Sequence, residues 1–236
     1  GAGCTDKEQN EETQILSISG QWSLNNIDPH QSGYIPQRLG YVETLVGVDY
    51  EGKIIPCLAS SWEVSNDGKK WTFTLRDGVR FHDGTPLTAE IMKNSLERSF
   101  VKSAAIFGKI PVTSIEARDN QTLVINLNST FPALPAYLSR GESAALAPGS
   151  YDGNNNLIKP IGTGPFIFES WKPEEEVILI KNPDYWGQVA SVDKVIYRIT
   201  PEELTRKMLL DSKDIQITMI LSPEIAEKYT EDSNYN

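Results

Sequence analysis

The stretch RFHDGTPLTAE, residues 80–90, sets His82 beside Asp83, the two side-chain types from which a general base and its orienting carboxylate are built. The spacing argues against that use. Neighbours on a strand project to opposite faces, so an adjacent pair makes a poor relay. Asp83-Gly84 instead offers a side chain that bonds its own backbone and a residue free to adopt positive φ, which makes a turn. The other histidine, His30 in DPHQSGY, reads as a loop residue satisfied by its surroundings and not as a ligand. Ser143 in GES lacks the GxSxG frame of a nucleophile elbow, and neither histidine has a claim on it. GTGPFI (162–167) begins like a phosphate loop but lacks the third glycine. Pro165 and the strand pattern after it also remove the helix N-terminus that a phosphate requires. Those glycines suit a tight crossing of the chain. There is no HExxH, CxxC or paired-histidine spacing, so no resident metal, cofactor or catalytic residue is expected. Trp22 and Tyr34 lie in an irregular segment where core packing is less obligatory, and they are the candidates for touching a ligand.

The elements that must hold these residues follow from periodicity. ILSIS (15–19) reads as a first strand, and the Gly-, Asn-, Asp-, Ser- and Pro-rich segment after it as a long ordered loop. RLGYVETLV (38–46) has helix-like apolar spacing. Trp62 to Val64 and Trp71 to Leu75 flank a hairpin turn at Asp67-Gly68. Thr88 caps a helix from Ala89 to about Phe100, with Met92, Leu96 and Phe100 as its apolar stripe. Residues 122–128 alternate as a strand, and 133–148 read as a short helix and a loop. Further strands are expected at 165–171, 177–181, 195–199 and 215–220. Thr200-Pro201-Glu202-Glu203 has the form of a capping box opening a helix, and Ser222-Pro223 opens another.

Composition sets the outer limits. The chain has 236 residues, 39% of them hydrophobic, and a formal charge of −10. That balance argues against tracking nucleic-acid phosphates. No apolar run approaches the roughly 20 residues needed to span a bilayer. Cys57 sits among apolar and small residues, the setting of a buried, inert thiol. Cys4 differs: small residues precede it and TDKEQNEETQ follows, ten polar or charged residues that cannot bury enough surface to order themselves. Residues 1–13 are therefore expected to be a disordered tether. The arrangement resembles the end of a bacterial lipoprotein signal, in which Cys4 would carry the lipid; an ordinary free cysteine is the alternative.

The segment GKIIPCLASSWEVSNDGKKWTFTLRDGVRFHDGTPLTAE (52–90) resembles the signature of the family five extracellular solute-binding proteins. SIEARDNQTLVINL, PIGTGPFIFESW, ILIKNPDYWG and VDKVIYRI follow in the family's order. These are receptors of ABC importers for oligopeptides, dipeptides and nickel. The resemblance implies an α/β fold of the periplasmic-binding-protein type (class II), represented by its N-terminal lobe with an inserted α/β subdomain and with the second lobe absent. The lobe core would comprise residues 14–45 and 158–236, and the insertion residues 46–157. It further implies a non-enzymatic, extracytoplasmic monomer, lipid-anchored to the cell membrane or periplasmic, that delivers a small ligand to a membrane permease. Nickel, as a small chelate, and a short peptide both fit. Arg140, in LPAYLSRGES, falls where nickel-type members carry an arginine that binds the chelator, and joins Trp22 and Tyr34 as a ligand candidate. The rivals are a peptide-binding sensor or chaperone lipoprotein on the same fold and a secreted hydrolase. The missing nucleophile–base pair counts against the last.

Overall fold

The computed structural model describes residues 12–219 and 222–231. Cys4 and most of the expected tether lie outside that range.

The chain opens with β1 (Ile15–Gly20), a long loop and the short helix α1 (Tyr34–Arg38). Then come β2 (Val46–Val48), β3 (Ile54–Pro56), β4 (Ala59–Val64) and β5 (Lys70–Leu75), followed by α2 (Ala89–Lys102) and α3 (Ala104–Phe107). The middle continues with β6 (Val112–Ala117), β7 (Thr122–Leu127) and α4 (Leu134–Leu138). The last part holds β8 (Phe166–Lys172), β9 (Glu176–Lys181), β10 (Lys194–Ile199), α5 (Glu203–Asp211), β11 (Ile217–Thr218) and α6 (Pro223–Glu231).

Three sheets result among the described residues. One has five strands in the order β11-β1-β10-β9-β8, one has four in the order β4-β5-β7-β6, and β2 and β3 form a two-stranded ribbon. The first strand and the strand that follows Gly162-Thr163-Gly164 thus share a sheet, while the WTFTL strand belongs to another. The two larger sheets each have their own core, and the ribbon packs on the core of the four-stranded sheet through Val46 and Ile54. Phe73, Leu75, Met92, Leu96, Leu123 and Ile125 centre one cluster, and Leu24, Tyr41, Phe168, Leu179, Val195 and Tyr197 the other. Residues 144–147 run extended between them. Ala144 and Leu146 join the second cluster and Ala145 and Ala147 the first, as the two-residue repeat of a strand requires. Ala145 N–H donates to Glu43 O at 2.9 Å and Ala147 N–H to Ile161 O at 2.9 Å, so three extended segments lie side by side there.

The β4–β5 hairpin and α2 form where the spacing predicts. Gly68 takes φ +70 at the turn, and Thr88 Oγ1 accepts from Ile91 N–H at 3.3 Å. Three local readings need correction. The helix expected over 38–46 is absent because α1 ends just after that stretch begins. Gly40, at φ +78, lets its own N–H reach Gln37 O and lets Tyr41 N–H reach Pro36 O, a Schellman closure that stops a helix. Beyond it Tyr41, Val42, Leu45 and Val46 are all buried, yet they face two different cores. Their spacing imitates a helical stripe. The capping box at Thr200 also fails to form. The helix starts at Glu203 without a side-chain cap, and the Glu203 carboxylate instead accepts from Ser222 N–H. The carbonyls of Thr200 and Pro201 accept from Arg206 Nη1. Of the described residues in the strand expected at 215–220, Ile217–Thr218 pair as a strand, and residue 220 lies outside the described range.

Candidate functional site

The long loop after β1 is pinned by aromatic donors. Tyr197 O–H donates to Trp22 O at 3.1 Å and Trp171 Nε1–H to Leu24 O at 2.9 Å. Fixed in this way, Trp22 meets Tyr34 edge to face, with ring centroids 5.2 Å apart and planes at 83°. The Arg38 guanidinium lies over the other ring, 4.5 Å from the Tyr34 centroid. Tyr34 is 44% exposed. A half-open aromatic pair with a cation against it can cover an apolar group and hold a nearby anion.

Arg140 reaches the neighbourhood through a backbone crossing. A Cβ on Gly33 would fall 2.0 Å from Gly141 C, and one on Gly141 would fall 2.1 Å from Gly33 O. The chains touch there because neither residue has a side chain. Gln37 Nε2–H donates to Ser139 O at 2.8 Å and fastens the same crossing. Tyr34 and Arg140 are therefore the next residues on either side of one contact. The Arg140 side chain is half exposed, with Nε 3.5 Å from Glu142 Oε2. It lines an open groove of about 350 Å³ with Ile106, Lys109 and Tyr137. Trp22 and Tyr34 are brought into contact; Arg140 stands across the crossing from them and pairs with Glu142.

Beneath this surface lies a buried polar network that sequence reasoning missed. Arg98 on α2 binds Asp28 in bidentate fashion, Nη1 to Oδ1 at 2.9 Å and Nη2 to Oδ2 at 2.6 Å. Their side chains are only 4% and 7% exposed. Arg98 Nη1 also donates to His30 Nδ1 at 2.9 Å. The His30 proton therefore sits on Nε2, which donates to Ala144 O at 2.8 Å. The Tyr151 ring covers the guanidinium at 4.4 Å. Burial opposes ionisation of Asp28, but the hydrogen bonds and charge of Arg98 outweigh it and hold the carboxyl below its ordinary range. His30 is the satisfied loop histidine that its context suggests. Burial, with Arg98 adding repulsion, pushes it down to about 4.

His82 serves the turn. Its N–H donates to Gly162 O, its Nε2 lies 2.9 Å from Gly164 O, and Asp83 Oδ1 accepts from Thr85 N–H at 3.0 Å. Gly162 and Gly164 press on the backbone of Tyr41 and Gly40, the tight crossing their spacing implies. Close by, the buried Glu43 carboxylate accepts from Tyr185 O–H at 2.6 Å, Thr163 O–H at 2.7 Å and Trp186 Nε1–H at 2.9 Å. Burial raises its pKa in spite of these three donors.

A pH dependence follows. As pH falls below 6.5 the unfolded chain protonates at His30 while the folded chain does not until about 4, so stability is lost across that window. The loss attributable to His30 is on the order of 3 kcal/mol. His82, lowered by burial, acts in the same direction, and Glu43, raised by burial, acts oppositely. Denaturant titrations at pH 7 and pH 4.5 should give a clearly shallower acid loss for His30→Gln, whose amide can occupy both hydrogen bonds without titrating. Equal losses in the two proteins would exclude His30 as the acid-sensitive group.

Comparison with known proteins places this arrangement. The family of bacterial extracellular solute-binding proteins, family 5 (middle region), matches residues 53–236. The nickel-binding periplasmic protein of Escherichia coli (strain K12) is 29% identical over 218 residues, 85% of this chain and 40% of that protein. The crystal structure of a nickel ABC transporter protein from Bacillus halodurans superposes with a TM-score of 0.85 at 33% identity, covering 93% of this chain and 46% of that one. The Helicobacter pylori periplasmic binding protein DppA, in complex with the peptide STSA, gives 0.81 at 30% identity over 93% of this chain and 49% of its own. The chain thus spans less than half the length of the proteins it matches. With its sheets, its order of motifs and residues 53–236 all in agreement, it belongs to the bacterial extracellular solute-binding proteins of family 5.

Proposed function

We propose that the chain is the ligand-binding portion of an ABC-importer receptor that captures nickel in a small chelate, or a short peptide, and passes it to a membrane permease without catalysing a reaction. The observation that carries this reading is the Trp22–Tyr34 pair with Arg38 against it and Arg140 across the Gly33–Gly141 crossing. Both ligand classes present carboxylates beside apolar groups. A guanidinium binds a carboxylate as a planar fork, and aromatic faces exclude water from the ion pair. Names among the matched proteins support both ligands, nickel in two cases and a peptide in the third. In this reading residues 14–45 and 158–236 form the core of one lobe, residues 46–157 are inserted into it, and a second lobe supplies the facing wall. The receptor works outside the cytoplasm as a monomer, tethered through a lipid on Cys4.

Calorimetry on the full-length receptor tests the site, using Ni²⁺ with a small carboxylate or histidine chelator and, separately, short peptides. Arg140→Lys keeps the charge but loses the fork, and should weaken the cognate ligand about tenfold, about 1.4 kcal/mol. The ligand that binds the unaltered receptor identifies the class. Unchanged binding in the variant would remove Arg140 from the site, and failure of both ligands to bind would reject the reading.

A further inference from the structure

The sequence contains four Asp-Gly pairs, at 67–68, 77–78, 83–84 and 152–153. Such pairs are open to intramolecular cyclisation because glycine places no side chain beside its own amide nitrogen. The fold treats the four differently. Asp67 Oδ1 accepts from Ser65 O–H at 2.5 Å and Lys69 N–H at 3.1 Å, Asp83 Oδ1 from Thr85 N–H at 3.0 Å, and Asp152 Oδ1 from Asn154 and Asn156 N–H at 2.8 and 2.9 Å. These carboxyls point past the following residue, as in Asx turns. Gly68 and Gly84 N–H also donate to backbone carbonyls, Ser65 O and Phe81 O, both at 2.8 Å. Asp77 stands apart. Its Oδ1 lies 2.9 Å from the N–H of Gly78 itself, the next residue. The carboxyl is therefore held against the one nitrogen that can close a five-membered ring on it. Both residues are exposed, and no atom lies within 4 Å of the position a Gly78 Cβ would take. Gly78 also already has φ +75.

We propose that Asp77-Gly78 is a built-in site of spontaneous covalent modification, forming a succinimide and then isoaspartate in the folded protein ahead of the other three pairs. The Gly78 amide nitrogen bonds to Asp77 Cγ, the Cγ–hydroxyl bond breaks, and the hydroxyl leaves with the amide proton as water. Hydrolysis returns that water. Cleavage at the ring's Cγ–N bond restores aspartate, and cleavage at the former backbone C–N bond leaves Gly78 attached through the side-chain carbonyl. No oxidant or enzyme is needed. The isoaspartate lengthens the main chain by one carbon between Arg76, which lies over Trp186 at 4.4 Å, and the buried Val79.

The test is ageing of the purified 236-residue chain at physiological temperature, folded and in denaturant, with peptide mapping and an isoaspartyl methyltransferase assay. In the folded sample the peptide containing residue 77 should first lose the mass of one water, then regain it while resisting cleavage at Asp77. It should do so before the peptides containing 67, 83 and 152. In denaturant the ranking should collapse. Asp77→Asn should react faster at the same bond by releasing ammonia, and Asp77→Glu should be silent there. An unmodified residue 77 in the folded protein, or the same ranking with and without denaturant, would overturn the assignment.

Discussion

Asp28→Asn is expected to destabilise the fold by about 3–5 kcal/mol, because it removes one charge from a buried pair and strands the other. Asparagine matches aspartate in size, so packing is unchanged. What changes is the environment of Arg98, whose guanidinium is bound on both Nη groups by a carboxylate in a site almost closed to solvent. His30 cannot take over the countercharge, since its Nδ1 is already an acceptor for Arg98 and its proton is committed to Ala144 O. The pair joins the loop after β1 to α2, 70 positions apart in sequence, so both cores should loosen together. Urea unfolding near neutral pH measures the loss directly. Arg98→Met alone should cost a similar amount, and Asp28→Leu with Arg98→Met should lie closer to the unaltered protein than either single variant. A loss below about 1 kcal/mol for Asp28→Asn would mean the pair behaves as a solvated surface bridge.

The second large effect is expected from a single methyl group. Gly162→Ala would put a Cβ 2.0 Å from Tyr41 O and 3.1 Å from Val42 Cα. Backbone cannot swing aside as a side chain does. Residues 40–45 and 161–165 must separate, pulling Ala147 and His82 off the carbonyls of Ile161 and Gly162. Overpacking of this kind costs about 1–3 kcal/mol and sometimes more, and contact with main chain instead of a side chain places Gly162 at the upper end. A domain of this size then loses roughly 2–4 °C in melting temperature per kcal/mol. Gly153→Ala is the control. Its Cβ would meet nothing within 4 Å, and it should change stability by less than about 0.5 kcal/mol. Scanning calorimetry of the two variants decides the matter; equal melting temperatures would mean that the crossing is slack.

Most of the fold is legible in the sequence where the signal is local. The hairpin at Asp67-Gly68, the cap at Thr88 and the alternation of 122–128 each draw on a few neighbouring residues, and they formed as written. The misreadings occur where tertiary structure recruits a local signal for another purpose. Leu39, Val42 and Leu45 or Val46 look helical because one segment supplies two cores in turn. Glu203 looks like half of a capping box but reaches to Ser222 instead. In the candidate site Trp22 and Tyr34 stand out as aromatics of an irregular segment, yet Tyr34 opens α1 and Trp22 packs against the second core. Asp28, Glu43 and Arg98 do not stand out. Each is an ordinary charged residue in its own surroundings, and its burial is decided by partners 70 to 143 positions away.

The place of β1 has a consequence for biosynthesis. It lies between β10 and β11, parallel to both. Gln14, just before it, bonds through its N–H to Asp193, 179 positions further on. A ribosome adding about 5–20 residues per second needs roughly 10–40 s to cover that distance. For much of this time β1 is out of the tunnel with both edges bare, and the β4-β5-β7-β6 sheet gains its last strand well before β10 is made. Among the described strands, the one made before all the others gains its partners last. For that interval the topology leaves an open β-strand ahead of a middle sheet whose strands are all available to pair.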